Sequence, residues 1–427
     1  MNAAINAMKK VKKIISKIIY FPISPRVLKV YAVLLKTLSG KKKQSIDLPI
    51  KRILISHLYC NLGDLILTIP LIEHLHQYYP SCVVDIAIDE KLAEFCRNLP
   101  VISHAYGFKP GRSKYAVLNP YFHILNQAKI YWHFLRHVRY GIAVVPRWGF
   151  DPYRSQYLAY LSFAPERYGY SSSVDGGDIS RDILLTKTST AGAGEHEVLR
   201  ELRLLERVGA ISESVPDSIV RQSSHSLQAM ASGSENLLPC EVIADLPFAL
   251  LAGNYGIVAP GSTQLKRNWP APNFSAIICK LQEKYAVPFL VVGGPNEVEL
   301  CSAVANASGG MAISIAGKTQ LLELVRILKG AALVVGNDSG AGHLSGAMGV
   351  PTIAISSFPR ISSLEHTNSP QRFRPMGPNV SVIQPDQSLF PCVDSCECME
   401  AHCITQVSVE AVVAAAEKFL DSSLMHK

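Results

Sequence analysis

Short apolar runs that stop at glycine or a polar pair, each followed by a helical pattern, recur along this chain and leave it few ways to fold. KRILIS (51–56) has no polar alternation, as a strand buried on both faces requires. A turn follows (HLYCNLGD), then Leu65, Ile69, Ile72 and Leu75 at helical spacing, then a second apolar run at Cys82–Ile88. This strand–loop–helix–strand unit opens a doubly wound α/β domain. GIAVVP (141–146) adds a buried strand, and EHEVLRELRLLERVG (195–209) an amphipathic helix closed by glycine. The rhythm lapses over serine-rich residues 211–250 and then restarts. Strands are predicted at 257–260, 288–292, 333–335 and 352–356, with helices at 273–285, 319–328, 342–348 and 408–420. A chain of 427 residues exceeds what one core usually takes. The reading is therefore an N-terminal Rossmann-like domain over 47–245 and a C-terminal one over 246–427. The last helix is free to pack back on the first domain. Two such domains facing a cleft would bind ligands at the carboxyl ends of their strands.

Charge separates the first 46 residues from the rest. They hold ten lysines, Arg26 and no acid, whereas the remaining 381 residues hold 31 basic and 34 acidic side chains. The net +8 thus belongs to a tail, and the near-neutral body argues against nucleic acid as a partner. Apolar runs in the tail are broken by Lys17, Lys29 and Lys36, too short to span a bilayer, and no secretory signal is recognisable. Ile14, Ile15, Ile18 and Ile19 recur at helical spacing opposite Lys12, Lys13 and Lys17, the pattern of a helix lying on an anionic membrane surface. A solvated tail is the alternative. The expected location is the cytoplasm, peripheral to the inner face of the membrane.

Three loops could carry chemistry. Asn61-Leu62-Gly63-Asp64 follows the first strand, with Asp64 placed as either a helix cap or a general base. Ala259-Pro260-Gly261-Ser262-Thr263 leads into Lys266-Arg267-Asn268-Trp269; hydroxyls, loop amides and cations are what a diphosphate needs. Leu333–Leu344 runs a buried strand into Asp338-Ser339-Gly340 and a helix bearing His343, whose free amides suit a phosphate. Asp338 could bond sugar hydroxyls and His343 a phosphate; a cap and a packed core histidine are the plainer readings. Neither the dinucleotide fingerprint nor a P-loop is present.

Ten cysteines include six scattered ones (Cys60, Cys82, Cys96, Cys240, Cys279, Cys301), expected to be reduced core thiols. Cys392, Cys396, Cys398 and Cys403 cluster, but this spacing lacks the paired hooks zinc favours, even with His402 nearby. Free thiols or a local staple are the expected reading there, a structural metal with His402 as an added ligand is the less favoured alternative, and no metal ligand is assigned.

LGDLILTIPL, APGST…KRNWP and VVGNDSGAGHLSGAMGVPTIAISS together resemble glycosyltransferase family nine, the bacterial heptosyltransferases. Arg167-Tyr168-Gly169-Tyr170, the 195–209 helix and the Cys392–Cys403 cluster are similar too, and the likeness runs from about 51 to 420. The resemblance implies a B-type glycosyltransferase fold of two Rossmann-like domains, with the acceptor on the first and a nucleotide-diphosphate sugar on the second. It implies transfer with inversion and without a metal or resident cofactor, onto lipopolysaccharide or another envelope glycan. The family's catalytic aspartate falls on Asp64, its phosphate-side hydroxyls on Ser262 and Thr263, and its donor-site residues on Asp338, Ser339, Gly340 and His343. Its phosphate lysine falls on Arg267, with Lys266 adjacent, and either cation could serve as the donor-binding one. The loop before Gly63 is longer than usual, and Gly342 replaces a bulkier residue. A nucleotide-sugar epimerase or hydrolase of the same fold, or a non-catalytic nucleotide- or glycan-binding member, are the alternative readings.

Overall fold

The computed structural model describes residues 50–110, 119–149, 151–174, 179–190, 194–232, 252–364, 366 and 369–424. The basic extension 1–46, the boundary near 245 and Cys240 lie outside the described residues.

Two six-stranded sheets organise the chain. The first contains β1 (Arg52–His57), β2 (Val83–Asp89), β3 (His104–Phe108), β4 (Ile142–Val145), β5 (Glu166–Tyr170) and β6 (Lys187–Ser189), in the order β3-β2-β1-β4-β5-β6. Every pairing is parallel. Ile53, Leu54 and Ile55 on β1 are fully buried, because helices cover both faces of a parallel sheet. Ile55 lies level with Ile86 on one side and Val144 on the other, so a one-residue slip would reverse which face each side chain meets. Two helices matter below: α1 (Leu62–Tyr78), directly after β1, and α2 (Glu197–Arg207), after β6.

The second sheet contains β7 (Gly256–Ala259), β8 (Phe289–Val291), β9 (Ala312–Ser314), β10 (Leu333–Asn337), β11 (Thr352–Ile355) and β12 (Val380–Ile383). Its order is β12-β11-β10-β7-β8-β9, again parallel throughout. Counted from its own first strand, this repeats the order of the first sheet. Both sheets therefore carry a Rossmann switch point, between β1 and β4 in one and between β7 and β10 in the other. The helices used below are α3 (Ala271–Tyr285), α4 (Gly340–Ala347) and α5 (Val409–Leu424). The sequence reading left α5 free to reach the first domain. The structure gives its buried face to the second: Val412, Ala416 and Leu420 share a core with Phe274, Ile278 and Leu281 of α3. Apart from Ala416, each of these side chains contributes roughly 1.5–3 kcal/mol when fully buried.

The chain divides into two compact units. The first takes residues up to Asn61, then Leu71–Ala191 and Glu201–Ser214; the second takes Leu62–Pro70, Gly192–Arg200 and everything from Val215 on. The opening turns of α1 and α2 thus group with the second sheet, where a boundary read along the sequence would assign them to the first. In α1 the division falls at Pro70, inside the helix, where the missing N–H deprives Ile66 of its usual intrahelical partner. No helix among the described residues is long and apolar enough to cross a membrane.

Candidate active site

At the switch point of the second sheet, two chain segments leave neighbouring strands. One is the loop after β7, residues 260–269; the other is Asp338-Ser339 and α4, after β10. Asn337, fully buried at the end of β10, holds the loop at both ends. Its Nδ2 donates to the Pro260 carbonyl at 2.6 Å, and its Oδ1 accepts from the Trp269 backbone N–H at 3.0 Å. The Trp269 ring is buried and donates through Nε1 to the Val407 carbonyl at 2.9 Å. The loop between these anchors has a fixed course.

On that loop the hydroxyl of Ser262 donates to the Gln264 carbonyl at 2.8 Å, while Thr263 is exposed. The two adjacent cations part company. Arg267 Nη1 lies 3.7 Å from Asp338 Oδ2, whereas Lys266 Nζ donates to the Cys396 carbonyl at 2.9 Å. His343, buried on α4, brings Nε2 to 3.6 Å of the other Asp338 oxygen. Burial pushes the Asp338 carboxyl up, but His343 and Arg267 together outweigh it and hold the group below its ordinary value. Asp338 is therefore an anion between two nitrogen groups, at distances longer than good hydrogen bonds. His343 Nδ1 is buried with no hydrogen-bond partner among the described residues.

Ser339 caps α4 by position, with extended backbone, and Gly340 opens the helix. A Cβ on Gly340 would approach Leu62 to 2.8 Å, and one on Gly63 would lie 3.0 Å from the His343 ring. The glycines at 63 and 340 are what let the start of α1 lie against α4. Asp64 follows Gly63 directly. The helix begins at Leu62, so Asp64 is its third residue, not its cap, and favours the helix dipole from the first turn. Gly342 meets only ordinary contacts, so packing does not demand glycine there.

The structure thus brings Arg267, Asp338, His343, Gly340 and Gly63-Asp64 into one neighbourhood, with Ser262 and Thr263 on the adjoining loop. Lys266 faces the cysteine loop.

Three side chains escaped the sequence reading. Asn337 was legible only as the polar end of an apolar strand. Glu297 accepts from the Gly294 N–H at 2.7 Å and fills the space a Cβ on Gly261 would need, which explains that glycine. Its signal was the Gly293-Gly294-Pro295-Asn296-Glu297 turn. His366 had no motif at all. Burial lowers its pKa, and the positive charges of Lys266, Arg372 and Arg267 lower it further against the opposing pull of Asp394. Several cations close to one histidine make a field suited to an anionic ligand.

α2 contributes anchors at its start. Glu197 pairs with the fully buried Arg372 at 3.1 Å, and His196 Nε2 donates to the Arg374 carbonyl at 2.9 Å. Burial above all depresses His196, to about 3, leaving it neutral.

Residues 135–402 match the family model for glycosyltransferase family 9 (heptosyltransferase). The chain belongs to that family. It is a glycosyltransferase, and its two parallel sheets are those of the B-type glycosyltransferase fold. Lipopolysaccharide heptosyltransferase 3 of Escherichia coli is 23% identical over 369 residues, covering 84% of this chain and 97% of the relative. A solved family 9 glycosyltransferase from Veillonella parvula DSM 2008 superposes with a TM-score of 0.67 at 20% identity, covering 89% of this chain and all of that one. The E. coli heptosyltransferase WaaC, solved with ADP, gives 0.63 at 17% identity, with 86% and 99% covered.

Proposed function

We propose that this glycosyltransferase moves a heptose-like sugar from a nucleoside-diphosphate sugar to lipopolysaccharide or a related envelope glycan, inverting the anomeric carbon. The observation that carries the reading is the grouping of Arg267, Asp338 and His343 beside the Gly340 helix start, with Gly63-Asp64 packed against it. In this mechanism the Asp64 carboxylate takes the proton of the acceptor hydroxyl as its oxygen attacks the anomeric carbon. The bond from that carbon to the diphosphate breaks, and negative charge grows on the departing phosphate. Arg267, the Ser262 and Thr263 hydroxyls and the amides opening α4 face that charge. Such preorganised donors commonly supply the largest part of a rate enhancement. Asp338 orients Arg267 and His343 and offers its remaining acceptor capacity to sugar hydroxyls. Protein cations fill the role a metal plays in other transferases, so the reaction runs without one. The names of the relatives support heptose as the sugar and lipopolysaccharide as the acceptor. The composition of residues 1–46 supports attachment to the anionic cytoplasmic face of a membrane, where each basic residue adds ~1 kcal/mol. Deleting them should release the protein from anionic vesicles and spare turnover.

Two measurements on one preparation test the proposal. Calorimetry with ADP, UDP and GDP should show a preference for ADP; a preference for UDP or GDP would assign the enzyme to another sugar. Asp64→Asn should lower turnover about 10²–10⁴-fold while ADP affinity holds. Turnover within a few-fold of the parent would remove Asp64 from the mechanism.

A further inference from the structure

The segment after β12 gathers ligand atoms of a different kind. Cys392, Cys396, His402 and Cys403 each offer one such atom, and all four lie within 4.8 Å of one another. His402 Nδ1 is 3.6 Å from Cys392 Sγ and 3.5 Å from Cys403 Sγ. Zinc bonds of ~2.3 Å to sulfur and ~2.0 Å to nitrogen place neighbouring sulfur and nitrogen ligands roughly 3.5 Å apart in a tetrahedron. The three thiols are at most 8% exposed, and the Glu397 backbone N–H donates to Cys392 Sγ at 3.4 Å. Hydrogen bonds of this kind support a thiolate ligand. Spacing along the chain argued against zinc because it lacks two hooks. The fold compensates by turning the adjacent His402 and Cys403 toward the same point as Cys392 and Cys396.

We propose that this knot is a structural zinc site, with Cys392, Cys396 and Cys403 bound as thiolates and His402 as neutral imidazole through Nδ1. Binding forms three Zn–S bonds and one Zn–N bond and releases the three thiol protons to water. Four protein ligands close the coordination sphere, as structural sites do, and leave no position for a reacting group. Cys398, half-buried with its sulfur 3.8 Å from Cys392, sits outside the set. The metal has a second effect, which rests on the donor-site reading above. The Cys396 carbonyl is the acceptor that holds Lys266, and the Trp269 ring is tied to Val407 just beyond the knot. Zinc thus makes Lys266 a positioned residue at the edge of the diphosphate loop.

The test starts from full-length protein purified under reducing conditions, incubated with Zn²⁺ and desalted. Metal analysis should find close to one zinc per chain, and Co²⁺ in its place should give the visible bands of a tetrahedral thiolate site. Cys396→Ser and the milder His402→Gln should each lose most of the metal, and Cys398→Ser should keep it. Parent protein that retains no zinc, or whose cysteines 392, 396, 398 and 403 are recovered as disulfides, overturns the site. Retention in Cys396→Ser and His402→Gln, or loss in Cys398→Ser, overturns the ligand set. Chelation should weaken ADP binding several-fold in the parent but not in Lys266→Ala; equal weakening in both overturns the tether alone. Metal content is read without nucleotide, so failure to bind ADP would count against the proposed function and not against zinc.

Discussion

Asp85 in the first sheet and Asp338 in the second are both held by basic groups, and they differ in where they lie and how tightly they are held. Asp85 is fully buried near the amino end of β2, among side chains from the neighbouring strands. Tyr140 donates to its Oδ2 at 2.7 Å and Tyr106 at 3.3 Å, and His104 Nδ1 lies 3.1 Å from Oδ1. Arg52 Nε is 2.9 Å from Oδ2, close enough for the charges to pair but off line for a hydrogen bond. Burial first, and then the Asp85 charge, pushes the Tyr140 hydroxyl far up, so it remains a donor. Asp338 stands instead just past the carboxyl end of β10, a fifth exposed, with its two basic partners at 3.6 and 3.7 Å. The same residue type is a closed knot at one end of a sheet and an open one at the other. In doubly wound folds only the carboxyl end faces ligand, so saturation there would leave nothing to bind with.

The contrast can be broken by substitution. Asp85→Ala strands the Arg52 charge and two tyrosine hydroxyls, and should cost about 3 kcal/mol in a denaturant titration, the low end for a broken buried pair because Arg52 reaches solvent. ADP affinity of the folded protein should stay within two-fold; a larger loss would mean the Asp85 knot also shapes the donor site. Asp338→Asn should do the reverse. Its melting temperature should move little, and ADP-sugar affinity should fall by the ~1.5–3 kcal/mol of a charge-assisted hydrogen bond. Unchanged affinity in both Asp338→Asn and Arg267→Ala would make the second knot as structural as the first.

His196 sharpens the comparison from the side of pH. Its folded pKa of about 3 lies below the 6.5 of the unfolded chain, so below 6.5 the unfolded state takes up the proton first. Stability is therefore full above pH 6.5 and declines as pH falls through that window, by about 2 kcal/mol at pH 5. His196→Gln can still donate to the Arg374 carbonyl and should flatten this slope in chemical denaturation at a series of pH values. An unaltered slope would place the titrating group elsewhere.

What the sequence disclosed follows burial. β1, β2, β4, β7, β8, β10 and β11 were all legible, because strands covered on both faces read as unbroken apolar runs. β3, β6, β9 and β12 were not: these are the four sheet edges, short or polar on one side, and β5 hides its register in Glu166-Arg167-Tyr168. The residues of the candidate site that sit within one motif, such as Asp338 and His343, could be found by eye. The division of labour between Lys266 and Arg267 could not, since it depends on a carbonyl 130 residues away. Asp64 as a cap failed on a smaller matter: the helix starts at Leu62, three residues before the Leu65 at which its apolar spacing begins.

The anchoring of Trp269 also gives the enzyme its own optical reporter. The chain has three tryptophans; Trp132 is over a third exposed and Trp148 is half-buried, while Trp269 is almost completely enclosed beside Phe274. An indole so enclosed emits at shorter wavelength than one in water. The blue edge of the emission spectrum therefore belongs to the loop that carries Ser262 and Arg267. Any event that loosens this loop should register there as a red shift, with no label attached and with Trp132 serving as an internal reference.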